Sequence, residues 1–85
     1  MKVVVVSKDN TDYSRAVTEY LHDFEKQIGR PLEIMDPDTA AGADFCRVHD
    51  IVEYPTMIAL DDDGRMQQTW RGLPLPTISE VSYYA

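Results

Sequence analysis

Apolar residues fall in short, punctuated groups along this chain. Val3 to Val6 form a continuous β-branched run, the pattern of a strand covered on both faces, as in a parallel sheet. Downstream, Val17, Tyr20, Leu21, Phe24 and Ile28 recur at spacings of three and four, which puts them on one stripe of a helix. That helix is expected to start within residues 11–14, where Thr11, Asp12 and Ser14 are all good N-cap types. Gly29 marks its end, and Pro31 follows two residues later.

The segment PLEIMD (31–36) predicts a second short strand with Leu32, Ile34 and Met35 turned inward. A strand, a crossover helix and a strand in so few residues make a βαβ unit with parallel strands. Asp36-Pro37-Asp38-Thr39 then signals a loop and a helix start. Ala40, Ala43, Phe45, Cys46 and Val48 give a weaker helical pattern up to His49, interrupted by Gly42. Thr56 to Leu60 and Arg65 to Arg71 read as a hairpin around the Asp63-Gly64 turn signal, with Met66, Gln68 and Trp70 on one face of the return strand. After GLPLP (72–76), Thr77 is expected to cap a last helix reaching Tyr84, with Glu80 completing a capping box. The order is β-α-β-α-β-β-α, an α/β fold in a single domain over residues 1–85.

Composition narrows the partners. Fifteen acidic residues against eight basic ones give a net charge of −7. Nucleic-acid binding draws most of its affinity from neutralised phosphates, so an acidic domain without a basic stripe is a poor candidate. An anionic membrane surface is excluded for the same reason. No apolar run exceeds four residues, and the N-terminus has neither the apolar core nor the cleavage site of a signal peptide. A cytoplasmic protein is expected. Cys46 is the only cysteine, so no internal disulfide forms.

Two local signatures and the element order together resemble the thioredoxin and glutaredoxin superfamily. VVVVSKDNTDYS (3–14) is similar to a glutaredoxin opening, in which a strand runs into Ser-Lys-x-x-Cys-Pro-Tyr-Cys. VEYPT (52–56), followed by an apolar strand and an Asp-Gly turn, looks like the thioredoxin-type loop that carries a cis-proline beside the active site. The resemblance spans nearly the whole chain and implies a four-stranded mixed sheet flanked by three helices. It also implies that Thr11 stands where the attacking cysteine would be, that Ser14 stands where the resolving one would be, and that Asp12 replaces the intervening proline. Tyr13 and Lys8 match the pattern.

A helix N-terminus stabilises a thiolate by its partial positive charge and free N–H groups. A hydroxyl there stays protonated, since a helix end supplies only about 1 kcal/mol, and it cannot form a disulfide. Dithiol exchange through this loop is therefore closed, and a non-enzymatic domain is expected. Two readings of the loop stand side by side. In one, Thr11, Asp12 and Ser14 only cap the helix; in the other, the loop still lines a binding groove. A hydroxyl nucleophile needs a base within hydrogen-bond reach, and His22 and His49 both lie far along their helices.

What the resemblance implies for binding centres on Tyr54, Pro55 and Thr56. The residue before a cis-proline offers backbone N–H and C=O groups that pair with an extended peptide as with an added strand. A peptide or protein partner is the first expectation, with no cofactor and no metal. Lys8 is a candidate to pair with a ligand carboxylate. Glutathione is a secondary ligand candidate, weakened because Gly72-Leu73-Pro74 stands where the glutaredoxin pattern has Gly-Gly-x-Asp. The alternative function is an atypical thiol oxidoreductase using Cys46 alone; against it stands an ordinary buried structural cysteine. Cys46-x-x-His49 supplies two ligands, half of what a zinc site needs. The DDDG turn fails the calcium-loop spacing, because its twelfth position is Trp70.

Overall fold

The computed structural model describes residues 1–85. Strand β1 spans Lys2–Val6, helix α1 Ser14–Ile28, β2 Glu33–Met35, α2 Ala40–His49, β3 Thr56–Leu60, β4 Met66–Arg71 and α3 Ile78–Ser82. They form a four-stranded sheet in the order β2-β1-β3-β4. β1 runs parallel to β2 and antiparallel to β3, and β3 pairs antiparallel with β4. This is a mixed sheet flanked by three helices, the thioredoxin-like arrangement.

The sheet separates two apolar layers, and the valine run serves both. Val3 and Val5 join Met57 and Ala59 beneath Val17 and Phe24 of α1 and Val81 of α3. Val4 and Val6 join Ile58 and Leu60 on the other face, beneath Cys46 of α2 and Ile51. Alternation within a strand explains the division, since successive side chains point to opposite faces. Phe24 is fully buried and contributes roughly 2–3 kcal/mol by burial alone. Gly29 sits at φ 86° and its N–H bonds the Glu25 carbonyl, the left-handed stop the sequence predicts.

Helix α2 is capped as expected, the Thr39 hydroxyl accepting from Gly42 N–H at 3.0 Å. Gly42 has a reason beyond local conformation. A Cβ there would lie 1.7 Å from the Asp36 carbonyl oxygen, so the first turn of α2 rests directly on the loop leaving β2. Only a residue without a side chain permits that approach.

Several expectations are corrected. Ile34 is 56% exposed, because three-residue β2 is an edge strand with no neighbour outside it. Val48 faces solvent, and Ile51, beyond the end of α2, fills the layer instead. A bulge sets Met66 opposite Leu60 while Gln68 pairs with Ala59, so Met66 leaves the face it was expected to share with Trp70. Helix α3 ends at Ser82 rather than Tyr84, and its capping box is half formed. Thr77 accepts from Glu80 N–H at 3.2 Å, but the Glu80 carboxylate accepts from the Trp70 indole N–H at 3.2 Å.

Candidate functional site

The C-terminal end of β1 and the start of β3 are paired, Val6 opposite Thr56, and this register brings the loop of residues 7–13 beside Tyr54 and Pro55. The Lys8 ammonium lies 5.1 Å from the centre of the Tyr54 ring and 3.7 Å from an Asp38 carboxylate oxygen. Three loops therefore meet here, after β1, after β2 and before β3. Partial burial first, then the neighbouring Cys46, Asp38 and Tyr13, raise the Tyr54 phenol above its ordinary pKa. Tyr13 also packs against the apolar layer under α1.

The Tyr54–Pro55 peptide bond is cis. Pro55 and Thr56 are fully buried. The Thr56 hydroxyl donates to the Glu53 carbonyl at 2.6 Å and so shapes the turn from within. The Pro55 carbonyl accepts from Gly72 N–H at 2.8 Å. Tyr54 belongs to no strand, and neither its N–H nor its C=O makes an intramolecular hydrogen bond; the same holds for Val52 just before the turn. Open backbone groups at a sheet end are the elements of strand-like pairing.

At residues 11–14 the structure overturns the expected capping. Tyr13 is the N-cap of α1, and no side chain accepts from the first helical N–H groups. The hydroxyls act as donors instead. Thr11 Oγ1 donates to the Lys8 carbonyl at 3.4 Å and Ser14 Oγ to the Thr11 carbonyl at 2.8 Å. The reason lies in the backbone, where Ser14 N–H already bonds the Thr11 carbonyl in a turn entered from Asn10, whose φ is 57°. That turn aims the short side chains back along the loop. Asp12 is exposed and makes no hydrogen bond or ion pair. Neither hydroxyl bonds to an imidazole or a carboxylate, the partners that would activate it.

Cys46 is 7% exposed, in the layer formed by Val4, Val6, Ile51, Ile58 and Leu60. His49 stacks on Phe45 with ring centres 4.5 Å apart. No cluster of three or more His, Cys, Asp or Glu side chains is placed to hold a metal ion, and no helix is long and apolar enough to cross a membrane. Two concavities of about 250 and 300 Å³ lie at the opposite end of the sheet, around Met1 and Lys2. The site at Tyr54 is an open surface turn, away from both concavities.

Sequence reasoning missed three residues around this turn. Asp38 was assigned only to a loop, yet it holds Lys8. Val52 and Leu73 are 77% and 58% exposed and flank the turn, Val52 next to Glu53 and Leu73 next to Gly72. An apolar residue on either side of the Tyr54 turn was the available signal.

No family model and no curated protein matches the sequence. Among solved structures, thioredoxin 1 from the thermophilic eubacterium Thermosipho africanus matches with a TM-score of 0.67 at 19% identity, over 99% of this chain and 89% of that one. The chain has a thioredoxin-like fold, with Thr11 and Ser14 at the start of its first helix and its one cysteine elsewhere.

Proposed function

We propose that this protein is a non-catalytic thioredoxin-like domain that binds an extended segment of a peptide or partner protein along the groove of Tyr54, Pro55 and the loop of Lys8, Thr11, Asp12, Tyr13 and Ser14. The unpaired N–H and C=O of Tyr54 carry this reading. They leave one donor and one acceptor available to an added strand. Pro55 and Thr56 serve as the buried frame that fixes the Tyr54 backbone.

The hydroxyls of Thr11 and Ser14 support the non-catalytic part. Both are spent on backbone carbonyls, and neither has the redox chemistry of a thiol. Reaction at Cys46 requires an accessible thiol, and Cys46 is buried in the layer beneath α2. Glutathione is the weaker ligand, because Lys8 is already engaged by Asp38 and a ligand carboxylate has to compete for it.

The test is a titration of the labelled protein with a mixed-sequence peptide pool, followed by backbone amide shifts. Saturable movement at Tyr54, Thr11 and Gly72 is expected. Movement confined to the opposite end of the sheet, at Met1, Lys2 and Glu33, removes the proposal. In parallel, thiol–disulfide exchange is expected from neither the parent nor Cys46→Ser.

A further inference from the structure

We infer that two copies of this chain pair antiparallel along the open edge of β4, with Thr69 of each opposite Arg71 of the other. The two four-stranded sheets then join into one. This contact is separate from the turn at Tyr54, and its failure leaves that reading standing.

The sheet ends in two edges, β2 and β4. An edge strand presents unpaired N–H and C=O groups, and proteins blunt it with short length, proline or charge. β2 is blunted in all three ways: it has three residues, carries Glu33 and lies between Pro31 and Pro37. β4 is six residues long, MQQTWR, with no proline and no charge before Arg71.

The ladder fixes which backbone groups are open. Gly72 N–H donates to the Pro55 carbonyl at 2.8 Å, so by alternation Trp70 and Gln68 also face β3, while Thr69 and Arg71 face outward. A second contact agrees. Thr69 N–H donates at 3.0 Å to Oε1 of the adjacent Gln68, a side chain standing where a neighbouring strand would place a carbonyl. The bulge between Ala59 and Leu60 breaks the alternation beyond Gln68. The open segment is therefore Thr69 to Arg71.

Symmetry and charge favour a second copy as the occupant. A two-fold axis at Trp70 sets each Thr69 against the other Arg71, and this register uses the outward N–H and C=O of both residues on both copies. It also brings the two half-buried Trp70 side chains together as a close cross-strand pair. Each copy carries −7, so most surfaces repel their like. Residues 64–72 contain no acid, and Arg65 is already neutralised by Asp61 and Asp63 of its own turn. The β4 edge is thus a place where two acidic molecules meet without opposing carboxylates.

Sedimentation equilibrium of the full chain tests this, with amide shifts followed on dilution. A contact this small is weak, so a dimer is expected near ~1 mM protein and a monomer at about 10 µM. Dilution is expected to move the Thr69 and Arg71 amides and to shift the emission of Trp70, the only tryptophan. Thr69→Lys faces Arg71 twice per dimer and should weaken association about five- to tenfold, whereas Thr69→Glu should tighten it about two- to fivefold. Raising salt from about 0.1 to 1 M shortens the screening length from roughly 10 to 3 Å and should tighten the parent dimer, because it screens the repulsion of like copies. A monomer at ~1 mM overturns the pairing, as does a dimer whose amide shifts lie away from Thr69 and Arg71. Equal weakening by the Lys and Glu variants overturns it too. Shifts at Thr69 on adding the peptide pool to a protein that stays monomeric assign the edge to a peptide and overturn the second copy.

Discussion

Replacing Gly42 by alanine sets local propensity against tertiary packing, and the two give opposite signs. In a helix, alanine is favoured over glycine by up to about 1 kcal/mol, so propensity alone predicts a more stable protein. The new Cβ, however, falls 1.7 Å from the Asp36 carbonyl oxygen and 2.5 Å from its carbon. Both are backbone atoms, and relief requires the loop to retreat by more than an ångström. That carbonyl accepts from Thr39 N–H at 3.1 Å and from the Thr39 hydroxyl at 2.8 Å. Overpacking costs roughly 1–3 kcal/mol, and each bond loosened adds about 0.5–1.5 kcal/mol. After subtracting the propensity gain, a net loss of about 2–3 kcal/mol is expected. A domain of this length has roughly 4–13 kcal/mol in all. Urea denaturation followed by far-ultraviolet circular dichroism measures it, and with a slope of about 1 kcal/mol/M the midpoint should fall by about 2–3 M. Because the same loop carries Asp38, the Lys8 and Tyr54 amides should shift as well. A midpoint that stays put or rises refutes the close approach of α2 to Asp36.

Three further outcomes are expected. Tyr20 has a buried hydroxyl with no partner, so Tyr20→Phe should raise stability by about 1 kcal/mol, read by the same denaturation; a loss of that size would reveal an unseen bond. Burial first, then Glu80, push the Tyr20 phenol from 10.0 up to about 12. The folded state then holds a proton that the unfolded state has released, so this contribution is intact below pH 10 and is lost as pH rises towards 12; Tyr20→Phe should flatten that part of the alkaline decline. Thr39→Ala should cost about 1 kcal/mol by removing a cap, while Asp12→Ala, with no bond to lose, should stay within about 0.5 kcal/mol; comparable losses would restore Asp12 as a cap.

The architecture was legible because several independent signals agreed. Four valines in a row admit only a strand buried on both faces, and the stripe from Val17 to Ile28 closed by Gly29 admits only one helix. Errors arose where position in the sheet overrode composition. Ile34 has the residue type of a core strand and sits on an edge. Met66 has the right parity for the Trp70 face and loses it to a bulge that no residue type announces. Gly42 looked like a flaw in a helix and is a contact point, visible only once Asp36 lies beneath it.

At the site, Lys8 and Tyr54 were expected in one place because the resemblance sets the loop after the first strand beside the one that carries Pro55, and the structure puts the Lys8 ammonium 5.1 Å from the Tyr54 ring. The role of the 11–14 hydroxyls was not legible. Threonine, aspartate and serine are N-cap types in any context, but capping depends on the backbone direction entering the helix, and the turn at Asn10 sends them elsewhere. The Thr56 hydroxyl is likewise consumed inside the turn, on the Glu53 carbonyl. The open edge of β4 was beyond sequence reading, since which strand ends the sheet depends on pairing in three dimensions.

Thiol–disulfide exchange, measured side by side on the parent, on Cys46→Ser and on Cys46→Ser carrying Thr11→Cys and Ser14→Cys, tests most directly whether this scaffold recognises partners without electron transfer. The account predicts no exchange by the first two. It predicts that only the third, which carries two thiols in the turn that leads into α1, gains exchange. Exchange by the parent that vanishes with Cys46→Ser would contradict it.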